Sequence, residues 1–183
     1  MRDKLPPQDL LVRRLHVGDK EDVCDHFLRL DSQARRARFC GAIGDYGVSQ
    51  YARGVVVPGS IACGAFVKGR LIGLAELRGL FRLWPSTAEA AFSVEPKWQD
   101  NGVGDALFER LFAIAQNRGV GTIQMTCLKD NHRMQHLASK HHAQLLADQD
   151  GVAAMLHTQW PTPSSIVEEI VGEIRGYSHV FLR

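Results

Sequence analysis

The residues best suited to chemistry lie in one run, Gln99-Asp100-Asn101-Gly102-Val103-Gly104, with carboxylates nearby at Glu89 and Glu76. Before the run, Ala90-Ala91-Phe92-Ser93-Val94 is a short apolar stretch that suits a buried strand, and Glu95-Pro96-Lys97-Trp98 is a polar turn. After it, Val103, Leu107, Leu111, Ile114 and Ala115 share one helical face. Asp105, Glu109, Arg110, Gln116 and Asn117 fall largely outside that face, and Gly119 is placed to end the helix. The first N–H groups of a helix lack internal partners and carry the positive end of its dipole. A glycine turn there lets phosphate oxygens approach the amides, so the run is suited to a diphosphate. Spacing decides which kind. A Walker loop needs Gly-Lys-Ser/Thr where this chain has Gly104-Asp105-Ala106. A dinucleotide fingerprint needs Gly or Ala where Leu107 stands.

The pattern that does fit is Gln-x-x-Gly-x-Gly, as Gln99, Gly102 and Gly104, between a buried strand and a long helix. On those residues the chain resembles the GNAT superfamily of acyl-CoA-dependent N-acyltransferases, over about residues 10–158. The resemblance implies acetyl-CoA as cosubstrate. It implies that Phe92, Ser93 and Val94 meet the pantetheine arm through backbone groups. It also implies that Gln99, Asp100, Asn101, Gly102, Val103 and Gly104 cradle the CoA pyrophosphate. A second family motif, Asn-x-x-x-x-x-Leu-Tyr, is matched at Asn131 and Leu137 but has Ala138 in the tyrosine's place. That tyrosine commonly protonates the CoA thiolate, so the resemblance supplies no acid here. Asn131 is read either as a pantetheine contact or as a helix cap.

Acyl transfer from a thioester to an amine needs a base, because an alkylammonium with a pKa of about 10 is not a nucleophile. Glu89, at the start of the pantetheine strand, is the candidate base, and the family often has Glu at the matching position. The competing readings are a surface carboxylate and a partner for an arginine. Glu76, on the neighbouring strand, is the second candidate. No motif sets a Cys or Ser beside a His, which favours direct attack over a covalent intermediate. His132, His136, His141 and His142 cluster, but Arg133 stands where a metalloprotease helix needs Glu, so they read as surface residues with no metal.

The elements that must position these groups are legible in outline. Residues 10–16 read as a strand with Asp19 capping the next helix, in which Val23, Phe27 and Leu30 share a face. Asp31 and Ser32 can cap a second helix whose Arg35, Arg36 and Arg38 read as a solvated basic face, and residues 45–54 form a third. Residues 60–67 and 71–77 read as strands joined by a tight turn at Lys68-Gly69-Arg70, and 80–87 as a loop. Beyond the central helix come a strand at 122–127, a helix at 131–141 capped by Asp130, and a hairpin over 143–158. The expected fold is mixed α/β of the GNAT type, with about six to seven strands flanked by helices.

The chain has 183 residues, enough for one domain at 1–158, with a linker and an amphipathic helix at 159–183 carrying Ile166, Ile170 and Ile174. That helix either packs on its own domain or serves a partner, a homodimer included. A net charge of +2 argues against nucleic acid as the main partner. Four scattered cysteines suggest reduced thiols in a cytoplasmic setting, and no apolar run reaches membrane-spanning length. The expected activity is transfer of an acetyl group from acetyl-CoA to a primary amine, either a small molecule or a protein lysine. The alternatives are a non-catalytic acyl-CoA sensor, favoured by Ala138, and an interaction module built on the C-terminal helix.

Overall fold

The computed structural model describes residues 6–57, 60–79, 86–158, 161–163, 165–167 and 169–171. Its centre is a seven-stranded sheet. The strands are β1 (Leu10–Arg14), β2 (Ile61–Val67), β3 (Arg70–Arg78), β4 (Ser86–Val94), β5 (Val120–Cys127), β6 (Gln144–Ala147) and β7 (Val152–His157). Their spatial order is β1-β2-β3-β4-β5-β7-β6. All neighbours pair antiparallel except β4 and β5, which are parallel and joined by helix α4 (Val103–Asn117).

The alternation of the strands sends side chains to two layers. On one face Cys63, Ala75, Leu77, Ala88, Ala90 and Ile123 pack against Val103, Leu107, Leu111 and Ile114 of α4. On the other, Leu71 and Leu74 pack with Val23 and Phe27 of α1 (Lys20–Arg29) and Val48 and Ala52 of α3 (Asp45–Arg53). Helix α2 (Ser32–Phe39) lies on this second face, and α5 (His132–Lys140) follows β5. The β2–β3 turn is Lys68-Gly69, both at positive φ, as a two-residue hairpin turn requires.

Several local expectations shift. Asp19 precedes α1, but its carboxylate is taken by Arg13 (2.7 and 2.8 Å) and by the His16 N–H (2.8 Å) rather than by a cap bond. Asp31 does cap α2, accepting from Ala34 N–H at 2.7 Å. Ser86 and Thr87 belong to β4 rather than to a loop, and residues 80–85 lie outside the described residues. The cap of α5 is Asn131, not Asp130. Gln116 is buried although it lies off the apolar stripe of α4.

Described residues of the C-terminal segment meet α4 through polar groups. Asn117 donates to the Ser165 carbonyl (2.9 Å) and to the Glu169 carboxylate (2.7 Å). Ile166 and Ile170 are exposed, while Ile174 lies outside the described residues. No helix among the described residues is long and apolar enough to cross a membrane, and all four cysteines are free thiols.

Candidate active site

The parallel pair β4–β5 holds only from Ser86↔Val120 to Glu89↔Gln124. Past Glu89, β4 stays paired to β3 as far as Val94, and β5 to β7 as far as Cys127. The two strands part, and a groove of about 760 Å³ opens along the freed edge of β4. Phe92, Ser93 and Val94 line its wall, Met134 and Leu137 of α5 face them, and Ala34, Ala37 and Arg38 of α2 close another side. A strand edge without a partner presents backbone N–H and C=O groups that can recognise an extended amide-bearing ligand.

The groove ends at the head of α4, where Gly102 and Gly104 line it. Gly102 sits at φ 69° and ψ 0°, a left-handed conformation that costs a glycine little. No side chain among the described residues caps α4, and its first backbone bond from within the turn is Ala106 N–H to the Gly102 carbonyl. The amides of the first turn are therefore available to an anion. Asp105, the acid in that turn, is held by Lys140 and His141, each at 3.2 Å. Gln99 works on the turn itself: its amide donates to the Val94 carbonyl at 2.9 Å and fixes where the strand ends. Asn101 likewise donates to the Gln99 carbonyl, at 2.8 Å. Asp100, also at positive φ, pairs with Arg133 of α5 on the rim, and Arg36 of α2 pairs with Asp130 on the same rim.

Behind the groove wall lies a buried polar cluster that the sequence did not announce. Ser93 and Glu95 are two residues apart and reach the same face of the sheet. His26 and Arg29 are three apart and share a face of α1. His26 Nε2 lies 2.8 Å from Ser93 Oγ, and its Nδ1 faces Glu95 Oε1 at 3.8 Å. The Glu95 carboxylate accepts from Arg29 and Arg70, at 2.8 Å each. Burial raises its pKa, but the His26 ring, Arg29 and Arg70 outweigh that and bring it to about 2. Burial lowers the pKa of His26, Glu95 opposes this, and the charges of Arg29 and Arg38 add to the lowering.

A family model for the acetyltransferase (GNAT) family matches residues 32–143, more than half of the chain. The chain belongs to the GNAT acetyltransferase family. No curated protein matches it by sequence. Among solved structures it is similar to the GNAT domain of PAT from S. lividans, at 19% identity and a TM-score of 0.71, over 80% of this chain and 89% of that one. It is also similar to yncA from Salmonella typhimurium, solved with its cofactor acetyl-CoA (15% identity, TM-score 0.65, 85% and 99% covered). A third is the paia N-acetyltransferase from Thermoplasma acidophilum, in complex with coenzyme A (16%, TM-score 0.60, 81% and 98%). At these identities the likeness speaks for the GNAT fold.

Within this GNAT chain the structure places the expected residues unevenly. Phe92, Ser93, Val94, Gln99, Asp100, Gly102, Gly104 and Asn131 all line the groove. Val103 is buried in the core, so only its backbone can serve a ligand. Asn131 Oδ1 accepts from Met134 N–H at 3.2 Å, so it caps α5 while still facing the groove. Ala138 is fully buried in the core and does not line the groove. Glu89 is exposed, lies outside the groove lining, and its side chain has no hydrogen-bond or ion-pair partner among the described residues. Glu76 does not line the groove either. It is 2% exposed and is held by Arg38, Arg78 (3.0 Å) and Tyr51 (3.2 Å). Arg38, expected on a solvated face, is buried against Glu76, and Arg35 pairs with Asp45 at 2.5 Å. His132 and His136 are exposed on the groove side, whereas His141 stacks on Phe108 with ring centroids 4.0 Å apart. No cluster of three or more His, Cys, Asp or Glu among the described residues is placed to hold a metal ion.

Proposed function

We propose that this GNAT protein transfers an acetyl group from acetyl-CoA to a primary amine, by direct attack of the amine while both substrates are bound. One observation carries the reading. The edge of β4 freed from β5 leads along a single groove to an uncapped helix N-terminus. An extended amide-bearing arm that ends in a diphosphate matches that sequence of surfaces: strand edge for the arm, helix head for the phosphates. The first-turn amides of α4, with Gly102 and Gly104 allowing close approach, would hold the pyrophosphate. Backbone groups of Phe92 and Val94 would hold the pantetheine and supply a donor to the thioester oxygen as it gains charge. Two solved structures of the same fold carry acetyl-CoA or coenzyme A, which supports the choice of cosubstrate. The acceptor, a small amine or a protein lysine, would enter between α2 and β4, where Arg38 and Ser93 line the groove.

A second reading, a non-catalytic acyl-CoA sensor, draws on Ala138, which is buried where the family's acid would stand. Titration calorimetry with acetyl-CoA, followed by thiol release with a panel of primary amines, separates the two. Transfer requires binding and amine-dependent release. Binding without release leaves the sensor, and absence of binding by folded protein removes both.

A further inference from the structure

We propose that Ser93 and His26 form a proton relay for acyl transfer, in which Ser93 Oγ takes a proton from the attacking amine as its own hydroxyl proton passes to His26 Nε2. The inference rests on the transfer reading above and supplies the base that reading lacks.

Neither carboxylate first considered lines the groove. Glu76 is neutralised by two arginines and does not line the groove. Glu89 lies four residues before Ser93 on the same strand, about 13 Å at the rise of a strand. Ser93, by contrast, lines the groove beside Phe92 and Val94 and is bonded at 2.8 Å to a histidine with no exposed surface. Ser93 is 6% exposed, and in the proposed relay its hydroxyl would connect His26 to the groove. The Nδ1 of His26 is buried without a hydrogen-bond partner among the described residues and faces the Glu95 carboxylate at 3.8 Å. An anion on that side keeps the ring proton on Nδ1, which leaves Nε2 as acceptor and Ser93 as donor.

The groups facing the ring come from several elements: Glu95 at the end of β4, Arg29 on α1 and Arg38 on α2, with Arg70 of β3 tied to Glu95. Burial and the two arginines keep His26 below its ordinary pKa and so neutral at pH 7. Glu95 stabilises the imidazolium once it forms. In the transfer step the amine, having given its ammonium proton to solvent, bonds through nitrogen to the thioester carbon while one N–H proton moves to Ser93 Oγ and the hydroxyl proton to Nε2. The C–S bond then breaks. The imidazolium returns its proton to Ser93 as Ser93 gives one to the departing thiolate. The amine proton ends on sulfur and the pair is restored, so the cycle needs no tyrosine at position 138. Ser93 is the catalytic residue, because it touches substrate, and His26 is a positioning residue acting through it.

The test uses the full chain with acetyl-CoA and three amine probes: spermidine, a lysine-containing peptide and an arylamine. Ser93→Ala should bind acetyl-CoA within about threefold of wild type but lose roughly 10²-fold in kcat, the range of a lost acid–base group. Ser93→Thr, which keeps the hydroxyl, should recover most of that loss. In His26→Gln the acid limb of the kcat–pH profile should vanish, a readout that packing damage alone would not produce. Should that variant fail to fold, the Ala/Thr pair at Ser93 still decides. Ser93→Ala turnover within threefold of wild type overturns the relay and leaves acetyl transfer standing. So does accumulation of an acetyl ester on Ser93 in the absence of amine, which would make the hydroxyl a nucleophile. Wild-type protein that binds acetyl-CoA but releases no thiol with any probe brings down the transfer reading, and the relay with it.

Discussion

Replacing Glu95 by Gln tests how the buried cluster behind the groove is held together. The carboxylate is 5% exposed and bonds Arg29 and Arg70 while facing His26. Its pKa falls from 4.5 to about 2 in the folded chain. A depressed carboxylate contributes stability above its unfolded pKa and loses it as pH falls through the folded one. The full difference corresponds to about 3 kcal/mol at pH 7. Arg70 is more than half exposed, so solvent screens its share, and the expected loss in Glu95→Gln is about 2–3 kcal/mol. At pH 3, between the two pKa values, less than half of that difference should remain, because the unfolded carboxyl is then protonated and must lose its proton on folding, while the folded one is still mostly ionised. Urea denaturation of wild type and variant at pH 7 and pH 3 gives both numbers. Equal losses at the two pH values would refute the argument and mean that the side chain contributes by packing rather than by charge.

Glu76→Gln should destabilise the chain by about 3–5 kcal/mol in urea denaturation, because Arg38 would be left as a buried charge without its carboxylate partner. Glu89→Gln should keep amine-dependent thiol release within about threefold of wild type, well short of the roughly 10²-fold expected for a lost general base, and a loss of that size would return the base to Glu89. Gly104→Val should weaken acetyl-CoA binding by about tenfold in calorimetry, a change worth roughly 1.4 kcal/mol. Its Cβ would meet only Leu137, at 3.7 Å, so the fold accepts the residue while the branch narrows the groove at the helix head. Unchanged binding there would move the diphosphate away from α4.

Most of the fold could be read because its elements announce themselves locally. The stripe of α4 and the Lys68-Gly69 turn are short-range patterns, and each appears as expected. The misreadings have a common source: a polar side chain near a helix end has several possible partners, and the choice is made by distant chain. Asp19 turns to Arg13 instead of capping α1, and Asp130 pairs with Arg36 across 94 residues while Asn131 takes the cap. Arg38 looks like its neighbours Arg35 and Arg36 in sequence. It is buried only because β3 brings Glu76 to it.

The same reasoning explains why the groove was legible and the relay behind it was not. The diphosphate site proposed at the helix head would be built from six consecutive residues, so its spacing is readable in the sequence. The Ser93–His26 contact joins residues 67 apart, and the strand makes it possible in a particular way. Opposite β2, β3 passes from Leu71 to Gly73, leaving Ile72 as an extra residue. The Ile72 carbonyl accepts from Glu95 N–H at 2.9 Å, and the Leu71 carbonyl accepts from Arg29 at 2.8 Å. That bulge anchors the end of β4 and the face of α1 to the same stretch of β3, which sets Glu95 beside the ring of His26. A bulge re-aims side chains without changing composition or periodicity. The one local hint was the pairing of Ser93 with Glu95, two polar residues at strand spacing on a buried face, which calls for a partner from the opposing layer.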